Sequence, residues 1–121
     1  MDKEYVLQVA EIAKNQLLAT TQMNVVLSWG IEKFIATVFK EMPALKFKVN
    51  GRLFKGFVIV ALNGSDYYEI YLENNQETRC VNDRAFFDEV GEIIDKAIES
   101  GTDKAEYEQF CQQQWYKLLM G

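Results

Sequence analysis

The residues that could do chemistry are few. Asp66, Glu69 and Glu73 gather near one turn, an arrangement in which carboxylates share acid–base work or hold Mg²⁺. The chain carries 18 acidic residues in 121, so some neighbours fall together by number alone. Asp66 also stands where turns favour aspartate, because its side chain can bond the local backbone. The structural role is the better account. Cys80 and Cys111 show neither metal-ligand spacing nor a disulfide framework, and read as buried reduced thiols. Histidine is absent, which removes Ser-His and Cys-His catalysis and leaves two thiolates too few for a zinc site. The expectation is therefore no catalytic residue, no metal and no cofactor, in a protein that reads as non-enzymatic.

A second chemistry is cationic. Net charge is −5 but unevenly spread: −1 over residues 1–39, +4 over 40–55 and −8 over 56–121. Lys46, Lys48, Arg52 and Lys55 make a basic hairpin, and Tyr67 and Tyr71 offer flat faces on a nearby strand. Cations beside aromatics on a sheet can hold single-stranded nucleic acid. Four bases give a small phosphate footprint, however, and the acidic remainder repels a polyanion. Lysines that keep an exposed hairpin soluble are the simpler account, and they weigh against nucleic acid as a partner.

The elements that must position these residues centre on Leu45 to Val81. Strands are expected over Leu45–Val49, Phe57–Leu62 and Tyr67–Leu72, with turns at Asn50-Gly51 and at Asn63 to Asp66. Thr78–Val81 can add a fourth. Before them, Val6, Val9, Ala10, Ala13 and Leu17 mark an amphipathic helix over Asp2–Thr20. A second helix is expected from Asn24 to Glu41, striped by Leu27, Ile31, Phe34, Ile35, Val38 and Met42 and stopped by Pro43. After the strands, a third helix is expected from Asn82 or Asp83 to Ile98, and a fourth opened by Asp103 and Glu106. That last helix would bury Tyr107, Phe110, Cys111 and Leu118, with Gln114 or Trp115. The reading is one α+β domain over residues 1–121: a helical hairpin, an antiparallel β-meander of three to four strands, then two C-terminal helices. No apolar run approaches a membrane span and no signal peptide is evident, so a cytoplasmic protein without membrane contact is expected.

Strand alternation assigns the faces. Pairing across Gly64-Ser65 puts Phe57, Ile59 and Ala61 with Tyr68, Ile70 and Leu72 on the core side. Phe54 and Phe57 then share that side only if a bulge falls at Lys55-Gly56. Val58, Val60, Leu62, Tyr67 and Tyr71 are left on the outer face with Glu69 and Glu73. That mixture suits an interface, covered by the C-terminal helix or by a second subunit.

The segment Val58 to Ile70, centred on Ala-Leu-Asn-Gly-Ser-Asp-Tyr-Tyr-Glu-Ile, together with Val81-Asn-Asp-Arg-Ala-Phe-Phe-Asp-Glu-Val-Gly-Glu-Ile-Ile, resembles small uncharacterised proteins of bacteriophages and bacterial mobile elements. The resemblance covers about Met23 to Ile98 and brings no activity or catalytic residue with it. It implies a bacterial or phage origin. The function expected is a non-catalytic protein-interaction or accessory protein that self-associates, as a homodimer, or binds another protein. The alternative is a small-molecule-binding or enzymatic module with a pocket between helices and sheet.

Overall fold

The computed structural model describes residues 1–75 and 77–101. Helix α1 spans Lys3–Thr20; the side chain of Asp2 caps it by accepting from the Glu4 amide at 3.1 Å. Its buried stripe is Val6, Val9, Ala10, Ala13 and Leu17, as the spacing predicts. The helix lies against the first two strands of the sheet.

The expected second helix is corrected. Only Met23–Ser28 is helical, as α2. Gly30 ends it with φ +61°, a left-handed position that releases the chain into a strand. Here glycine is needed twice over, because an added Cβ would lie 3.3 Å from the Asn50 Cβ. The apolar stretch that follows, Phe34 to Phe39, is rich in β-branched and aromatic residues and forms most of strand β1, Glu32–Phe39. Strand β2 runs Met42–Asn50. Lys40 and Glu41, both with positive φ, close the two-residue turn between them. Pro43 sits inside β2 rather than ending a helix. It lies opposite Val38, one residue on from the pair that flanks the turn, a position that donates no bond to β1.

Strands β3 (Lys55–Leu62), β4 (Tyr68–Asn74) and β5 (Glu77–Ala85) complete an antiparallel sheet in the order β1-β2-β3-β4-β5. The fold is thus α+β with five strands, not three or four. The third helix is shorter than expected. Residues 82–85 stay in β5, and helix α3 begins only at Val90, running to Asp95 before a wide π-type turn over Lys96–Ser100. Between them Phe86 and Glu89 close a turn in both directions: the Phe86 amide donates to Glu89 Oε1, and the Glu89 amide donates to the Phe86 carbonyl. The expected fourth helix lies outside the described residues.

One side of the sheet carries the main core. Leu45, Phe47, Val49, Val58, Val60, Ile70 and Leu72 meet Ala10, Ala13 and Leu17 of α1, Trp29 after α2, and Val90, Ile94 and Ile98. Trp29 is fully buried, and its indole Nε1–H donates to Asp95 Oδ1 at 2.9 Å. Arg52 fastens the same end of the fold: its backbone amide donates to Glu99 Oε2 at 2.7 Å, and its guanidinium to the carbonyls of Glu99 and Ser100.

Candidate interaction surface

Register decides which residues face away from the helices, and it reverses the expected faces of β3 while β4 keeps Tyr68, Ile70 and Leu72 on the core side. Asn63 pairs with Tyr67 through a 2.9 Å backbone bond, leaving a three-residue loop of Gly64, Ser65 and Asp66. Asp66 takes φ +64°, the left-handed residue such loops require. Asn63 Oδ1 organises the loop by accepting from the amides of Ser65 and Tyr67. The ladder then matches Leu62 with Tyr68, Val60 with Ile70 and Val58 with Leu72. All three pairs lie on the helix side. One extra loop residue exchanges every side chain between faces.

The five residues expected on one outer surface are therefore separated. Val58 and Val60 are buried beneath the helices, and Leu62 packs at the edge of that core. Tyr67 lies in the turn beside Phe86, ring centroids 5.3 Å apart, with the Arg84 guanidinium 5.8 Å from its centroid. Tyr71 faces away from the helices, in a separate cluster with Ala44, Ile59 and Ala61. The expected bulge at Lys55-Gly56 is also corrected. The β2–β3 ladder runs without a shift from Ala44↔Ala61 to Asn50↔Lys55, so Phe54 packs against the helix-side core while Phe57 takes the other side. Shifts occur elsewhere, near Lys33 and between β4 and β5.

The open face is built from alternate residues: Ile35, Thr37 and Phe39 of β1, Ala44, Lys46 and Lys48 of β2, Phe57, Ile59 and Ala61 of β3, and Glu69, Tyr71 and Glu73 of β4. At its centre Ala44, Ile59, Ala61 and Tyr71 form a second buried cluster, flanked by Phe39 and Met42. No residue of the described helices belongs to this cluster. Small residues lie sunk between taller neighbours: Phe39 meets Tyr71 at 4.7 Å between centroids, and Lys40 Nζ lies 4.9 Å from the Tyr71 centroid. Lys46 Nζ sits 3.0 Å from Glu73 Oε1 and 4.5 Å from the Phe57 centroid.

The polar groups of this face are committed to one another. Tyr71 Oη donates to Glu69 Oε1 at 2.6 Å, and Asn63 Nδ2 donates to Glu69 Oε2 at 3.1 Å. The bond to Glu69, with burial and the carboxylate's charge behind it, holds the Tyr71 hydroxyl far above its ordinary pKa. Glu69 and Glu73 do share a face, but at four residues' separation along a strand they stand about 13 Å apart, too far to share one cation. Asp66 is exposed on its turn. Among the described residues no three histidine, cysteine, aspartate or glutamate side chains come together as a metal cluster would require.

The basic hairpin divides in the same way. Lys46 is held by Glu73, and Arg52 turns to the helix side to fasten Glu99 and Ser100. Lys48 lies 4.0 Å from Glu32 with both side chains exposed, a contact of little energetic weight. Lys55 is exposed. On the helix side, a cleft of about 520 Å³ opens between β5 and the wide turn, lined by Leu53, Arg79, Cys80, Val81, Ile93 and Ala97 among others. Cys80 is exposed and reduced, not buried as expected. Among the described residues no helix is long and apolar enough to cross a membrane.

Sequence reasoning missed Ala44, Phe39, Ile35 and the outward placement of Ile59 and Ala61. The signal that could have found the last two is Asn63, whose side chain starts an Asx turn and so lengthens the loop. No family model matches the chain, and neither does any curated protein or solved structure.

Proposed function

We propose that this is a non-catalytic interaction or accessory protein, of bacterial or phage origin as the resemblance implies, that binds another protein through the open sheet face. One observation carries the reading. The apolar cluster of Ala44, Ile59, Ala61 and Tyr71, widened by Phe39, Met42, Phe57 and Ile35, occupies a sheet face to which no described helix contributes. Lys46 is held by Glu73, and Glu69 by Tyr71 and Asn63, while Lys48 stays exposed at the margin. Over the buried floor, half-buried Phe39, Met42 and Phe57 and exposed Ile35 supply the aromatic and aliphatic surface that suits a protein interface.

The test places a photo-crosslinker at Phe57 and, separately, at Glu11 on the exposed side of α1. A partner identified from the Phe57 position, then purified, should bind the chain directly. It should lose that binding when Phe57 and Ile35 are both replaced by lysine in protein whose circular dichroism is unchanged. Equal capture from Glu11, or binding that survives the double replacement, refutes the reading.

A further inference from the structure

The two edges of the sheet are built differently. Strand β5 is blunted: Glu77, Thr78, Arg79 and Cys80 are exposed, Asp83 and Arg84 follow, and the ladder beside it shifts register twice. These are the devices by which natural sheets avoid pairing with other chains. Strand β1 has none of them between Phe34 and Phe39. That run carries no charge, and Phe34, Ile35 and Val38 are 37, 39 and 49% exposed.

From this asymmetry we infer that β1 pairs with β1 of a second copy, antiparallel about Ala36, to join two sheets into one of ten strands. The hydrogen-bonding pattern selects the register. Because Phe39 and Met42 flank a two-residue turn, they exchange bonds, and so do Thr37 with Ala44 and Ile35 with Lys46. Phe34, Ala36 and Val38 consequently point their amide and carbonyl groups outward, away from β2. A two-fold axis at Ala36 sets Ala36 against Ala36 and Phe34 against Val38 of the other copy, twice. All three outward residues are then used, and each pair exchanges two bonds. A shift by two residues in either direction leaves one of the three unpaired, and a shift by one sends the helices of the two copies to opposite faces.

Side chains agree with that register. Phe34 meets Val38 of the second copy on the helix side, where both are half exposed, and Ile35 meets Thr37 on the open side. Lys33, in a left-handed conformation at a register shift, marks where the pairing stops. The symmetry is isologous and closed, which makes a dimer and not a filament. This inference rests on the strand edge, and stands apart from what the sheet face binds.

The full-length chain is tested by sedimentation velocity from low to high micromolar concentration. Wild type should sediment as a dimer, and Ala36→Pro, which removes an outward amide without touching the β2 ladder, as a monomer of unchanged circular dichroism. In a Cys80→Ser, Cys111→Ser background, Ala36→Cys should oxidise to a covalent dimer at least ten times faster than Thr37→Cys, because only the Ala36 positions meet across the axis. The cysteine pair decides the matter if the proline variant does not fold. A wild type that stays monomeric, equal cross-linking from both positions, or protection of the Phe34–Val38 amides only on adding a different protein would overturn the dimer. The first and third outcomes leave the sheet-face reading intact, and loss of that reading with the dimer preserved is equally distinguishable.

Discussion

Removing the bond between Trp29 and Asp95 should separate the two ends of the described chain energetically. These residues lie 66 apart in sequence, yet the indole nitrogen and the carboxylate oxygen stand at 2.9 Å. Trp29 is fully buried, so Asp95→Ala leaves its N–H without an acceptor, which costs about 1–3 kcal/mol. Trp29→Phe removes the donor and part of the ring, adding a cavity term to the lost bond, for about 2–3 kcal/mol in total. With both changes made, the lost bond is counted only once, so the double variant should be more stable than additivity predicts by about 1–2 kcal/mol. Urea denaturation followed by far-ultraviolet circular dichroism measures all four corners without relying on the indole that is removed. At a slope of about 1.5 kcal/mol per molar urea, a coupling of 1.5 kcal/mol moves the midpoint by about 1 M. Additivity within about 0.3 kcal/mol would refute the argument and leave Trp29 as packing alone.

Gly56→Val should destabilise by more than about 2 kcal/mol, since Gly56 has φ +155° and a Cβ there would lie 2.6 Å from the Glu73 carbonyl oxygen; a midpoint shift no larger than that of an exposed β5 substitution would contradict it. Tyr71→Phe tests the raised hydroxyl. A group whose folded pKa lies above its unfolded value near 10.0 stabilises fully below that value and loses its contribution as pH rises beyond it. Wild type should therefore lose stability from about pH 10 upward more steeply than Tyr71→Phe, and parallel pH profiles of the denaturation midpoint would refute the Tyr71–Glu69 bond.

Helix α1 was legible to the residue, because its stripe of five apolar positions has no competing period. The α+β class was legible too, and so was the existence of β2, β3 and β4. The second helix failed because Phe34, Ile35 and Val38 fit a helical stripe and an alternating strand alike. The β-branched run and Gly30 favoured the strand, and a ladder with β2 settled it. The candidate surface failed for a different reason. Strand β3 is central and apolar on both sides, Phe57, Ile59 and Ala61 on one and Val58, Val60 and Leu62 on the other. Its pattern alone cannot say which side meets the helices. That choice passed to the length of one loop, and the left-handed Asp66 reversed it. Phe86 and Phe87, which fall inside the expected third helix, are 55 and 50% exposed, because β5 continues past the expected helix start.

Each strand of the sheet pairs only with its neighbour in sequence. Every hairpin can therefore close over a short loop as soon as its two strands exist, without waiting for distant chain. The fastening of Arg52 to Glu99 and Ser100 spans 47 and 48 residues, and it completes only when the last described turn docks. By its sequence separation such a contact is expected to form after the barrier that the hairpins set. It then acts on the rate at which the native chain comes apart far more than on the rate at which it assembles. A loop between two strands is in this way the latch of the protein, and its grip is measured in lifetime.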